Sequence, residues 1–302
     1  METINVYQVD AFTTEPFQGN PAGVVANADA LSDAQMQAIA RELNNPETAF
    51  ILSPTARDHE VWVRFFTPTT EVPSCGHATI AAHYVRAVEK QLCSCTVVQR
   101  IGIGILPVEI VAEGGDYRIV MTQGTPEFGT PFSGSRRDDI VDALGLRQAD
   151  LDERCPIQIV STGHSKVLVG IRRRAMLEAL EPDLPKLVEL SRAIACNGYF
   201  VFTLDSASSD ILTHGRMFAP AIGIPEDPVT GNANGPLGAY LAQHRLVSVA
   251  GNRLSFRGRQ GEAMGRPGTV DVTVELDAGV PKLVRVAGRA VIAFEGRLQI
   301  RG

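Results

Sequence analysis

The feature that most constrains this chain is an internal repeat. Arg64-Phe65-Phe66-Thr67-Pro68 is echoed by Arg216-Met217-Phe218-Ala219-Pro220, an offset of 152 residues, and Cys75-Gly76-His77-Ala78-Thr79 by Thr230-Gly231-Asn232-Ala233-Asn234, an offset of 155. Two fainter echoes keep the same order. Gly19-Asn20-Pro21 before Val24-Val25 resembles Gly163-His164-Ser165 before Val167-Leu168, and Pro46 to Ile51 falls where Cys196 to Val201 falls. Solenoid repeats recur every ~20 to 50 residues, so a period near 150 points to a duplicated domain and not to an array.

At 302 residues the chain suits about two domains, which agrees with the repeat. Its 44% hydrophobic content and 21% charge are those of a globular protein that buries a full core. A net charge of −6 without a Lys/Arg stripe argues against nucleic-acid or anionic-membrane partners, because neutralising phosphates needs a basic patch. No apolar run is long enough for a membrane span, and Met1 to Phe17 lacks the basic start and apolar core of a secretion signal, so a cytoplasmic location is expected. The five cysteines are odd in number and lack framework spacing, which disfavours disulfides. Cys93-Ser94-Cys95 has no second ligand pair, so no metal is expected there.

Local patterns supply the elements. Ser32-Asp33-Ala34-Gln35 is a capping box, and Met36, Ile39, Ala40 and Leu43 follow at helical spacing, which predicts a helix over 33–43. Glu47 falls just ahead of a strand at Ala49 to Leu52, and Val61 to Phe66 reads as another strand ending at Pro68. Gly76 to Val88 carries Ile80, Ala81, Tyr84 and Val88 on one helical stripe. The second half repeats the scheme, with an outer helix from Leu184 to Ala195 and an inner one from Gly231 to Gln243. Alanine and leucine crowd both inner helices, so both should be buried on most sides. Gly102-Ile103-Gly104 lacks the third glycine of a dinucleotide fingerprint and reads as a hairpin turn. Thr162-Gly163-His164-Ser165-Lys166 has the wrong spacing for a phosphate loop and reads as structural.

The expected class is therefore α+β: two similar lobes, each a curled sheet around one central helix, with a cleft between them as the natural pocket. Turn signals at 114–116 mark the expected boundary, giving a first lobe of 1–115 and a second of 116–289.

Chemistry is expected at the two repeated turns. Each precedes an inner helix whose first N–H groups are unpaired and carry partial positive charge, which suits a substrate carboxylate, and Gly76 and Gly231 let backbone approach it closely. The plainer reading is that both glycines only permit a tight turn. Glu47 lies among Pro46, Thr48, Ala49 and Phe50, where desolvation would raise a carboxyl pKa towards neutrality and suit it to proton transfer. The alternative is a solvated loop carboxylate. His77 and Asp227 fall on the two turns as a possible orienting pair.

The set FQGNPAGVV (17–25), NNPETAFI (44–51), RFFTPTTEVPSCGHAT (64–79), STGHSKVLV (161–169) and RMFAPAIGIPEDPVTGNANGPLGAYL (216–241) resembles the PhzF-like family, named for an isomerase of phenazine biosynthesis, and within it the YddE-like proteins. The resemblance runs from about residue 4 to the end. It implies the diaminopimelate epimerase-like fold, with two pseudo-symmetric lobes, a last strand (about 290–302) returning to the first lobe, no cofactor, no metal, and a homodimer. It also implies roles. Glu47 matches the catalytic carboxylate; Gly76 and His77, flanked by Cys75 and Ala78, match the substrate-binding turn of the first lobe; Asp227, Gly231 and Asn232, with Thr230, match that of the second. Asn232 stands where the phenazine enzyme has serine, and Pro46 replaces a polar residue before the glutamate.

The implied activity is cofactor-independent isomerisation by general acid/base catalysis on a small carboxylate-bearing substrate. Related racemases of the fold use one cysteine on each inner turn. Here those positions are Cys75 and Thr230, and a threonine hydroxyl is too weak a base near neutral pH to complete the pair. Dehydration of a hydroxyproline-like amino acid is the runner-up, and a binding protein that has lost the reaction is the reading from another class.

Overall fold

The structure is a computed structural model that describes residues 2–300. It divides into two compact units, Met1–Met121 with Ala287–Gly302, and Thr122–Val286. Arg301 and Gly302, included above in the expected returning strand, lie outside the described residues.

The first unit opens with strand β1 (Glu2–Ala11) and β2 (Asn20–Val25), paired antiparallel. Helix α1 (Asp33–Leu43) follows, and its N-cap is the expected capping box: Gln35 N–H donates to Ser32 Oγ while the Gln35 side chain accepts from the Ser32 N–H. Asn44 ends the helix in the left-handed region. The chain then enters β3 (Glu47–Leu52), which runs parallel to β2, and β4 (Val61–Phe66), antiparallel to β3. A two-residue strand β5 (Glu71–Val72) leads to the inner helix α2 (Gly76–Lys90), after which β6 (Cys95–Ile101) runs parallel to β4. β7 (Gly104–Glu113) and β8 (Asp116–Thr122) complete a meander. The turn at 102–104 is the expected hairpin. The glycines at 114 and 115, both at positive φ, also form a hairpin turn, between Glu113 and Asp116, and the division between units falls after it, at Met121.

The strand Ala290–Ile300 lies antiparallel to β1 along its whole length, with a bulge between Gln8 and Val9. Helix α2 packs against β1, β2 and β3, with ten of its residues buried, from His77 to Ala87. Met36, Ile39 and Ala40 of α1 join Ile4, Val6, Val25, Phe50 and Phe66 in one apolar cluster.

The second unit holds β9 (Glu127–Phe128), α3 (Gly134–Ala143), β10 (Gln158–Ser161), β11 (Ser165–Ile171), α4 (Arg174–Glu178), α5 (Leu184–Ile194), β12 (Tyr199–Thr203), β13 (Thr213–Ala219), β14 (Ile224–Asp227), α6 (Gly231–Gln243), β15 (Arg253–Gln260), β16 (Gly268–Asp277) and β17 (Val280–Gly288); Ala290–Ile300 is β18. Its central pairings reproduce those of the first unit step for step. β11 is parallel to β12 as β2 is to β3, β12 antiparallel to β13 as β3 is to β4, and β13 parallel to β15 as β4 is to β6. The helices fall in the same connections, α5 where α1 falls and α6 where α2 falls. Eleven residues of α6 are buried.

The conserved spacing has a structural cause within each unit. Arg64 makes a bidentate pair with Glu71, both bonds at 2.8 Å, and Arg216 makes the same fork with Glu226 at 2.9 and 2.8 Å. Each fork ties strand β4 or β13 to the short strand leading into an inner helix. The repeat offset grows from 152 to 155 between these motifs, where the second unit carries an extra 3-10 turn, Pro220–Ile222.

Candidate active site

In the first unit the register β2–β3 places Glu47 beside Ala22, as the first residue of a strand and not in the loop ahead of it. Its side chain is only 14% exposed, which rules out the solvated-loop alternative. Glu47 Oε2 lies 3.3 Å from Nε2 of His77, the second residue of α2. The two atoms are close but not aligned as a hydrogen bond, and Nε2 makes none among the described residues. The other ring nitrogen, Nδ1, is 3.5 Å from Sγ of Cys75, the N-cap of α2. Burial pushes the His77 pKa down to about 4, against a smaller upward pull from the Pro21 carbonyl, so its ring is neutral at pH 7. One ligand atom each from Glu47, Cys75 and His77 falls within 4.8 Å of the others, a spacing that could also hold a metal ion.

Gly76 is not at positive φ, and a Cβ there would meet only Met121 Cε at 3.6 Å, an ordinary contact. Neither strain nor crowding within the unit demands a glycine, so the tight-turn explanation fails at this position. Ala78 is fully buried, and its side chain belongs to the core face of α2. Thr79 Oγ1 donates to the Cys75 carbonyl at 2.7 Å and fixes the turn from behind.

The second unit builds its turn from different groups. Thr230, the N-cap of α6, donates its hydroxyl to Asp227 Oδ2. Gln260, from β15, locks both residues: its Nε2 donates to the Asp227 carbonyl at 2.7 Å and to Thr230 Oγ1 at 3.1 Å, and its Oε1 accepts from Thr230 N at 3.1 Å. Asn234 Nδ2 adds a bond to the Thr230 carbonyl at 3.0 Å. Gln123 donates to the Gly231 carbonyl at 3.1 Å and accepts from Thr162 Oγ1 at 2.7 Å. Asn232 Oδ1 is buried with no hydrogen-bond partner among the described residues. Thus the structure groups Glu47, Cys75 and His77 at one turn, and Asp227, Thr230, Gly231 and Asn232 at the other.

Sequence reasoning missed Gln260, Gln123 and Lys166. The first two carry no local signal, since their partners lie 30 or more residues away and depend on strand pairing. Lys166, set aside above as structural, is a lysine only 7% exposed on β11, close enough to Asp227 for that carboxylate to pull its pKa upwards.

Comparison with known proteins agrees with this architecture. A profile for phenazine biosynthesis-like proteins (PhzC-PhzF) matches residues 9–296. The chain belongs to this family. It is 55% identical over 294 residues to an uncharacterized isomerase of Clostridium acetobutylicum, covering 97% of each chain. It is 32% identical over 289 residues to the trans-2,3-dihydro-3-hydroxyanthranilate isomerase of Pseudomonas aeruginosa, covering 96% of this chain and 97% of that one. The crystal structure of a PhzF-family protein of Bacillus anthracis superposes with a TM-score of 0.89 at 33% identity, covering 99% of this chain and all of that one. The fold class is that of the PhzF-like proteins, and the chain is an isomerase. Among the described residues no helix is long and apolar enough to cross a membrane.

Proposed function

We propose that this isomerase moves a proton within a small carboxylate-bearing substrate by acid/base catalysis, with no cofactor, and that Glu47 carries the proton. One observation carries the reading: a largely buried carboxylate sits 3.3 Å from an imidazole that burial keeps neutral. A neutral histidine can hydrogen-bond a carboxylate or a substrate oxygen without supplying the full charge that would pin the glutamate in its ionised form. A single glutamate that accepts and returns a proton needs an acidic C–H, as found next to a conjugated carboxylate. The compound named for the Pseudomonas relative, trans-2,3-dihydro-3-hydroxyanthranilate, is of that class.

Gly76 supports a ligand at the first turn, because the missing Cβ leaves the N terminus of α2 accessible without relieving any clash in the protein. Asp227, Gly231 and Asn232 are proposed as substrate-binding groups of the second unit. Thr230 is not proposed as a base: its hydroxyl proton is committed to Asp227. A two-base racemisation therefore lacks its second base.

The test is solvent deuterium incorporation followed by proton NMR, with trans-2,3-dihydro-3-hydroxyanthranilate and a panel of amino and hydroxy acids. The wild-type protein is expected to label at least one of them, and Glu47→Gln to label none. Unchanged labelling by Glu47→Gln removes the glutamate from the mechanism, and no labelling of any acid by the wild type contradicts the reading.

A further inference from the structure

The internal repeat allows the two units to be compared position by position, and the strand registers do this independently of sequence matching. In the first unit Ala22 lies beside Glu47 and Gly23 beside Thr48, while Phe50 pairs with Arg64. In the second, Val167 lies beside Tyr199 and Val201 pairs with Arg216. Arg64 and Arg216 are the matched arginines of the repeat, so Phe50 corresponds to Val201 and, three residues earlier, Glu47 corresponds to Gly198. The sequence echo alone set Glu47 opposite Asn197, and the register shifts it by one. Counting from Gly23 and Val167 on the neighbouring strands, Ala22 corresponds to Lys166.

A residue pair has thus exchanged its charge-bearing side. The first unit carries a carboxylate on β3 opposite alanine; the second carries an ammonium on β11 opposite glycine. The side chains also share a place. A Cβ built on Gly198 would fall 2.4 Å from Lys166 Cδ and 3.0 Å from its Cε, so the end of the lysine runs through the space in front of Gly198 that the glutamate side chain takes at position 47.

Lys166 is an expensive group to bury. Among the described residues its Nζ donates one hydrogen bond, to the Ser165 carbonyl at 3.2 Å, although an ammonium has three donors. Burial lowers its pKa to about 8, with smaller opposing pulls from Cys196 and Asp227. Asn232, the counterpart of His77 in the repeat, leaves its Oδ1 buried and unpaired. A carboxylate for Lys166 and a hydroxyl or amine for Asn232 would satisfy both, and one small acid can offer both groups.

We propose that Lys166 is a substrate-contacting residue, the cationic counterpart of Glu47, which takes an acid group of the substrate beside the Asp227 turn and so selects hydroxy or amino acids. This inference rests on the reading above in taking the Asp227 turn as part of the substrate site. Lys166 binds and Glu47 reacts, so the two assignments fail separately.

The experiment uses full-length protein labelled with carbon-13 at the lysine ε-carbons. The chain has only four lysines, and Lys166→Met and Lys166→Gln each assign the resonance by its loss. Anthranilate is the carboxylate probe and aniline its neutral control. Anthranilate, and not aniline, is expected to move the Lys166 signal. Its Kd should weaken about tenfold or more in either variant, the loss of one charge-assisted bond, and stay within about threefold in Glu47→Gln. The assignment is overturned if anthranilate leaves the wild-type Lys166 signal unmoved, whether or not it binds, or if a variant that unfolds at the wild-type temperature binds anthranilate as the wild type does. If the methionine variant does not fold, the wild-type signal and the glutamine variant decide. Loss of proton exchange in every acid with an intact Lys166 response would instead sink the isomerisation reading and leave this one standing.

Discussion

The two inner turns of this isomerase share a backbone plan and differ in chemistry. At the first, a largely buried carboxylate, a neutral imidazole and a thiol come together around the start of α2. At the second, Asp227 and Thr230 are tied to each other and to Gln260 by a closed set of hydrogen bonds. The difference teaches that duplication supplied the scaffold twice and that the two turns then diverged in the groups they carry; in the function proposed above the first turn transfers the proton and the second recognises the substrate. Rigid donors and acceptors discriminate, whereas a transferring group must be able to change its protonation state.

The comparison breaks most visibly if Glu47 is replaced. Glu47→Gln is expected to lower kcat by about a thousandfold, within the usual range for losing a general acid/base. Steady-state kinetics on an accepted substrate checks this. No equivalent loss in kcat is expected from the second turn.

A smaller effect concerns pH. His77 and His83 are both buried, and burial holds both near pKa 4, below the ordinary 6.5; His83 keeps a 2.9 Å bond to Gln99. The unfolded chain takes up protons on these rings near 6.5 and the folded protein only near 4, so unfolding binds protons between those values. Stability conferred by the neutral rings is complete above pH 6.5 and is lost as pH falls towards 4. Urea unfolding at pH 7 and pH 5 should show the drop, and His83→Gln should reduce its slope. Since both rings lie in the first unit, the acid sensitivity should appear there first by hydrogen exchange.

The second turn should be the more sensitive to packing. A Cβ at Gly235 would lie 1.9 Å from Gln123 Oε1, which is held in place by Thr162, so Gly235→Ala is expected to cost about 1–3 kcal/mol through overpacking. Gly76→Ala, whose Cβ would make only an ordinary contact with Met121, should change stability by less than about 0.5 kcal/mol while impairing activity. Thermal and urea unfolding distinguish the two. Thr230→Val should cost about 1 kcal/mol, the typical net worth of one hydrogen bond, and should leave the first turn untouched.

Much of this was legible in the residues. The repeat predicts two alike units, and the capping box at Ser32, the inner helices at Gly76 and Gly231, and the hairpin at 102–104 all stand where local rules put them. Those features depend on neighbours in sequence. The rest depends on register. Glu47 reads as lying just ahead of a strand that starts at Ala49, yet pairing with β2 begins at Glu47 itself. Gln260 and Gln123 look like ordinary polar side chains until the sheet brings them to α6. Lys166 resembles the end of a turn, and its exchange with Gly198 becomes visible only when two strands are aligned by pairing and not by letters.

The division of labour between the turns is tested most directly by measuring kcat and KM for Glu47→Gln and Lys166→Met on one substrate, side by side. The account predicts that the glutamine variant loses kcat with KM nearly unchanged, and that the methionine variant raises KM about tenfold with kcat largely kept. If both substitutions act on kcat alone, or if the glutamine variant retains wild-type turnover, the account is contradicted.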